Sequence, residues 1–212
     1  MKHVLCYGDS NTYGLAFSAE GPYRLDRDRR WTGLLQKELG PDYRIIEEGL
    51  NGRTTAYDDP LFPDRNGAVF LPVCLESHMP LDLVLLGLGT NDTKRNMGLT
   101  AEDIARGMRR LVELVRTPLP LMTFPAPRIL IVAPVPLGEK ALADRELTDA
   151  GSLRRSRELA GLYAALAEEL GCDFFDLNTL SARELVDGIH LTEASHAAAA
   201  RALAEKIRSM NV

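Results

Sequence analysis

Five short apolar runs, residues 3–7, 43–47, 81–88, 128–134 and 172–177, are separated by stretches whose apolar residues recur at helical spacing. Each run has strand length. Between them, Ile104, Met108, Leu111 and Val115 step by four, three and four, and Leu159, Leu162 or Tyr163, Leu166 and Leu170 keep a similar spacing. That spacing puts one apolar stripe along each helix. Parallel strands cannot be joined by a tight turn and need a crossover, which a helix supplies. Strands alternating with helices therefore imply parallel pairing, right-handed crossovers and an α/β chain folded as a three-layer α/β/α sandwich.

Local signals place several boundaries. Residues 31–39 read as a helix stopped by Gly40 and Pro41, two breakers in succession. Thr100, with Asp103 three residues on, is a plausible cap for the helix that carries Ile104. The last helix opens at Thr192 and is expected to turn Ala194, Ala197, Ala200, Leu203, Ile207 and Met210 toward the sheet.

Two stretches break the alternation, residues 16–30 with the charge run Arg24 to Arg30, and residues 53–72 with Pro60, Pro63, Gly67 and Pro72. Each follows the carboxyl end of a strand, and long loops inside a compact domain are more often functional than idle. They are expected to form the rim of an active site, with residues 137–151 as a third rim loop. The charge run reads as a solvated face, with subunit contact as the alternative.

A chain of 212 residues is expected to form one domain over residues 1–212, burying about 70% of its unfolded surface. Its 25 basic and 30 acidic residues leave a formal charge of −5, which speaks against a general nucleic-acid binder. Cys6, Cys74 and Cys172 are an odd number with no close pair, and read as reduced core residues. The first apolar run is too short for a signal-peptide core, and no run approaches the ~18 residues of a membrane span. A cytoplasmic protein without membrane partners is the expectation.

The first strand stops at Gly8-Asp9-Ser10-Asn11-Thr12-Tyr13-Gly14, a tight turn that presents a hydroxyl where open α/β sheets place their chemistry. A serine needs a base to become a nucleophile, and histidine is the usual one. His3 begins the same strand as Ser10 and lies about 20 Å away at the opposite sheet end. His196 falls within the last helix and His78 just before the third run, whereas His190 sits in a loop with Asp187 three residues back. A turn through Gly188 would let that carboxylate fix the imidazole tautomer, leaving the other ring nitrogen for the serine.

Acyl transfer also needs donors for the oxyanion. Gly49-Leu50-Asn51-Gly52 and Gly87-Leu88-Gly89-Thr90-Asn91-Asp92 follow the second and third strands. The first could offer a backbone N–H and the second the Asn91 amide, although turn and capping roles serve equally well for either alone. Two other classes compete with acyl transfer. In a flavodoxin-like anion-binding module, Gly8 to Gly14 would cradle a phosphate, but Asp9 brings negative charge and the glycine spacing matches no nucleotide motif. A metal site from Asp187, His190 and His196 lacks the usual ligand pattern.

The set of Gly8-Asp9-Ser10 with Gly14, Gly52, Gly89-Thr90-Asn91-Asp92 and Asp187-Gly188-Ile189-His190 resembles the blocks of the SGNH or GDSL-type hydrolases. They occur in that order over nearly the whole chain. The resemblance implies a flavodoxin-like five-stranded parallel sheet of order 2-1-3-4-5, and a triad of Ser10, His190 and Asp187. It further implies an oxyanion hole from the Ser10 and Gly52 N–H groups and the Asn91 side chain, and no cofactor or metal. The turn after the first strand is most similar to bacterial arylesterases and acyltransferases acting on small esters, some of them homo-oligomers. Carbohydrate deacetylases, thioesterases and lysophospholipases of the same fold are the alternatives. Tyr13, Trp31, Tyr57, Phe62 and Phe70 are the aromatic candidates for a substrate rim.

Overall fold

The run Val4-Leu5-Cys6-Tyr7 is apolar at every position, and successive strand side chains point to opposite faces, so it must be covered on both. In the computed structural model, which describes residues 1–117 and 124–210, this run lies in β1 (Lys2–Gly8). Leu5 and Tyr7 enter one core and Val4 and Cys6 the other.

After β1 come α1 (Ser10–Tyr13), a hairpin of β2 (Leu15–Ser18) and β3 (Gly21–Arg24), α2 (Trp31–Leu39) and β4 (Tyr43–Gly49). There follow α3 (Gly67–His78), β5 (Leu83–Gly87), α4 (Ala101–Arg116), β6 (Arg128–Ala133), α5 (Ala150–Leu170), β7 (Asp173–Asp176) and α6 (Glu193–Ser209). The five-stranded sheet runs β4-β1-β5-β6-β7 and is parallel throughout. Leaving the hairpin aside, this is the expected order 2-1-3-4-5. Helices α3, α4 and α5 cover one face and α2 and α6 the other. Each large apolar side chain buried there contributes roughly 1.5–3 kcal/mol.

Register brings the functional blocks to one edge. Gly8 pairs across with Gly49 on one side and Gly87 on the other, so β4, β1 and β5 end level. The segments that leave them, toward Gly52, Ser10 and Asn91, start from a common line. At Gly49 the approach is close: a Cβ there would lie 2.1 Å from the Tyr13 backbone nitrogen, so α1 sits against the end of β4 only because no side chain intervenes.

Several boundaries match and others need correction. Helix α2 ends at Gly40, and Thr100 and Asp103 form a reciprocal capping box on α4. Residues 16–30 are not a plain loop, since they hold most of the β2–β3 hairpin. Residues 53–72 run into α3, which starts at Gly67 under an Asn66 cap and carries Pro72 inside it. Proline reads as a breaker, and α3 is apolar on both sides, with Leu71, Cys74 and Leu75 buried but Val69, Phe70 and Val73 exposed. No amphipathic period marks such a helix. On α6, Ala194 is exposed and Ala197 only half-buried, while His196, Ala199, Ala200, Leu203 and Ile207 face inward. A step of three, as from 194 to 197 to 200, drifts off a 3.6-residue turn.

The charge run is largely a solvated face, with Arg24, Asp26, Arg27, Asp28 and Arg29 exposed, and it is also tied to the sheet. Arg24, Arg27 and Arg30 converge on Glu47 of β4, which also accepts from the Thr32 hydroxyl at 2.8 Å. Burial opposes the Glu47 charge, but the bonds from Arg30 and Thr32 hold its carboxyl below the usual range. The three cysteines are free, Cys6 and Cys74 in the cores and Cys172 half-buried. Among the described residues no helix is long and apolar enough to cross a membrane.

Candidate active site

Ser10 is the first residue of α1, with Asp9 as the cap: the Asp9 carboxylate accepts the Asn11 N–H at 2.9 Å. The first N–H groups of a helix have no partner within it, so the Ser10 backbone donor is available beside its own hydroxyl. The four-residue helix is closed by Gly14, whose N–H bonds the Ser10 carbonyl at 2.9 Å.

Across the sheet edge, the Ser10 hydroxyl lies 3.0 Å from His190 Nε2, and His190 Nδ1 lies 2.7 Å from Asp187 Oδ2. An ionised carboxylate only accepts, so Nδ1 carries the proton and Nε2 is left bare to accept from Ser10. Asp187 is held in turn by the backbone N–H groups of Ile189 and His190, at 2.9 and 2.8 Å on Oδ1. Burial alone would raise the Asp187 carboxyl, but these bonds and the imidazole hold it down at about 2. Ser10 and His190 are largely buried, 5% and 9% exposed.

The turn from Asp187 to His190 is set by Gly188, which has φ +87°. Its N-terminal and C-terminal arms are tied by Val186 N–H to the His190 carbonyl at 2.8 Å. Gly138 N–H also donates to the Gly188 carbonyl at 2.9 Å, which docks the 137–151 stretch on the turn.

Gly52 and Asn91 line the same open pocket of about 720 Å³ as Ser10, Asp187 and His190. Asn91 donates one amide N–H to the Arg53 carbonyl at 3.1 Å, which locks the side chain to the Gly52 loop and leaves its second N–H for a substrate. The remaining histidines lie elsewhere. His3 contacts the Pro80 carbonyl, and His78 pairs with Glu48 at 2.9 Å. His196 is fully buried and accepts the Trp31 N–H through Nδ1 at 3.2 Å, with burial pushing its imidazole down to about 4.

Three further residues support the site; Asn11 and Asp92 lie within the stretches singled out in the sequence, but their partners and the role of Arg53 had no local signal. Asn11 brackets His190, its amide donating to the Ile189 carbonyl at 3.2 Å and its oxygen accepting from Leu191 N–H at 2.9 Å. Arg53 is buried with its guanidinium 4.1 Å above the Tyr7 ring, donating to the carbonyls of Gly8 and Glu48. Asp92, fully buried, accepts the Thr55 N–H on both oxygens and the Thr55 hydroxyl at 2.5 Å. Burial pushes its carboxyl up to about 6 against those bonds.

Of the aromatic candidates only Phe62 lines the pocket. Trp31 is buried, Tyr13 sits under Arg24, Tyr57 bonds the Asp103 carbonyl, and Phe70 is exposed on α3. Phe17, at the hairpin, is the aromatic that meets the site: its ring stands edge-on to His190 with centroids 5.3 Å apart.

An aryl esterase from M. smegmatis superposes with a TM-score of 0.93 at 45% identity, covering 99% of each chain. A carbohydrate acetylesterase from Sinorhizobium meliloti, Est24, gives 0.93 at 40% identity, over 99% of this chain and 100% of that one. The human isoamyl acetate-hydrolyzing esterase 1 homolog is 24% identical over 207 residues, 89% of this chain and 74% of its own length. The profile of the GDSL-like Lipase/Acylhydrolase family matches residues 6–198, and the chain belongs to that family.

Proposed function

We propose that the protein is a serine esterase that hydrolyses small carboxylic esters, aryl or short-chain acyl, through an acyl-enzyme on Ser10. One observation carries this reading: a serine hydroxyl, an imidazole and a carboxylate are linked at 3.0 and 2.7 Å at the wall of a pocket that Gly52 and Asn91 share. The Ser10 oxygen attacks the ester carbonyl while its proton passes to His190 Nε2. The oxyanion is met by the Ser10 and Gly52 N–H groups and the free Asn91 amide hydrogen, a donor worth about 3 kcal/mol in the transition state. His190 then returns the proton to the departing alcohol. Water, deprotonated by the same nitrogen, releases the acid and restores Ser10.

Every proton and electron pair is moved by these groups and water, so the reaction requires no cofactor. An alcohol in place of water at the second step gives acyl transfer as a side activity. The exposed Val69, Phe70 and Val73 on α3 support self-association, and the free thiols fit a cytoplasmic location. The names of the two structural relatives point to aryl and to carbohydrate acetyl esters, and a panel separates them. Hydrolysis rates measured from acetyl to palmitoyl on one alcohol, then across aryl and acetylated sugar alcohols on one acyl group, should peak at short acyl chains. Full retention of p-nitrophenyl acetate hydrolysis by Ser10→Ala would overturn the nucleophile assignment, because loss of a triad member costs several orders of magnitude.

A further inference from the structure

Three cationic side chains line the pocket: Arg65, Lys94 and Lys140. Lys94 is neutralised, its ammonium 3.0 Å from a fully buried Asp59 oxygen. Of the wall's carboxylates, Asp187 is engaged by His190, and Asp144 accepts the N–H groups of Glu146 and Leu147 at 3.2 Å. Lys140 reaches only the Val186 carbonyl at 3.4 Å. Arg65 has no carboxylate partner among the described residues. One of its terminal nitrogens donates to the Pro63 and Asp64 carbonyls at 3.0 and 3.3 Å.

Arg65 is placed rather than adrift. Its carbonyl accepts the Thr54 N–H at 2.9 Å and the Thr54 hydroxyl at 3.1 Å, which pins its backbone two residues beyond Gly52. Asp64, just before it, has φ +60°, the sole non-glycine with positive φ among the described residues. Directly after it, the Arg65 side chain lies over Gly52. A Cβ on Gly52 would sit 3.4 Å from Arg65 Cδ and Nε. The guanidinium therefore lies beside the glycine whose N–H is proposed for the oxyanion, with its Nε and second terminal nitrogen free of acceptors among the described residues. A planar fork of donors of that kind matches a carboxylate or similar anion.

We infer that Arg65 is an anion anchor within the active site, and that the preferred substrates are esters carrying a negatively charged group, such as a carboxylate, a few ångströms from the scissile carbonyl. The inference rests on the esterase reading for the reaction and on Arg65 for the preference. The charge could sit on the alcohol or on the acyl side, so two isosteric pairs are compared. One is 4-acetoxybenzoate against 4-acetoxybenzamide, and the other is the 4-nitrophenyl hemiester of adipate against its terminal amide.

In the wild-type protein kcat/KM for the charged member should exceed that for the neutral one about tenfold in at least one pair. Arg65→Gln should collapse that ratio toward one, and Arg65→Lys should restore part of it. A ratio at or below one in both pairs, or a ratio that Arg65→Gln leaves unchanged, overturns the inference. Failure of the esterase reading would be distinct, showing as no Ser10-dependent turnover of any of the four. In that case calorimetric binding to Ser10→Ala still decides: in at least one of the two pairs the charged member should bind about tenfold tighter than its amide, and adding Arg65→Gln should erase the difference. Equal binding within both pairs overturns the anchor.

Discussion

His190 Nε2 lies 3.0 Å from Ser10 Oγ although the two residues are 180 positions apart. The contact exists because β1 and the segment before α6 end at the same edge of a parallel sheet, and because the turn holding His190 is braced by Asp187 and Asn11 on either side.

Asp187→Asn keeps the shape of that turn but replaces an acceptor by an amide, so Nδ1 is no longer compelled to carry the proton. The wrong tautomer then faces Ser10. Turnover should fall by about 10⁴-fold with little change in the circular dichroism of the fold. The wild-type carboxyl is held down at about 2, below its unfolded value near 4. Its stabilising contribution is therefore complete above pH 4 and lost as pH falls toward 2. Denaturant midpoints across that window should slope less in the variant.

Asp92→Asn tests a positioning residue. Asp92 accepts the Thr55 N–H on both oxygens and the Thr55 hydroxyl on one, and an amide would keep one oxygen as acceptor and turn its own N–H groups on these donors in place of the other. A destabilisation of about 1–3 kcal/mol is expected, with a fall in kcat as the Gly52 loop loses its anchor. The sign with pH is opposite to that of Asp187. A folded value raised to about 6 means that the native state binds the proton more tightly, so this group subtracts stability as pH rises from about 4 to 6. The gap between wild type and variant should narrow across that interval; a gap independent of pH would refute the shift.

His196→Asn addresses the buried histidine outside the site. Its imidazole is pushed down to about 4 by burial, and Nδ1 accepts from Trp31 N–H. A neutral buried base must be charged on unfolding in acid. It supports the fold above its unfolded value of about 6.5 and loses that support as pH falls toward 4. Asparagine can keep an acceptor near the Trp31 N–H without titrating. Unfolding midpoints should therefore drop less steeply between pH 6.5 and 4 in the variant, with esterase activity retained at neutral pH.

Much of this was legible in the sequence because apolar runs are local. The five strands stand out as continuous hydrophobic stretches, and Ser10, Asp187 and His190 fall at their ends or before the last helix. Helix α3 was hidden by Pro72 and by apolar residues on its outer side, where Val69 and Val73 remain exposed. The supports of the site were hidden for another reason. Asn11 reaches Ile189 across 178 positions, and Thr55 reaches Asp92 across 37. Asn11 and Asp92 fall inside stretches that the sequence marks, but nothing local marks their distant partners, which read as ordinary turn formers. Arg65 was unreadable in the same way, since its position over Gly52 is set by how the intervening loop folds back.

Gly188→Ala separates backbone strain from site geometry when set against Gly40→Ala. Both glycines have positive φ, +87° and +79°, so either alanine pays about 1–3 kcal/mol for a backbone conformation that side chains rarely adopt. At Gly40 the new methyl meets nothing within 4 Å, and the cost should end there, with kcat intact. At Gly188 it would lie 2.4 Å from the Ala141 nitrogen and 2.9 Å from the Gly138 oxygen. Backbone must move, and the segment that moves carries Asp187 and His190. A displacement near 1 Å in a catalytic group costs about 10²-fold in rate. Thermal midpoints and p-nitrophenyl acetate kinetics for the two variants should therefore diverge, with a stability loss in both and a loss of turnover in Gly188→Ala alone. Equal kcat in the two would mean that the turn absorbs the methyl without shifting His190 from Ser10.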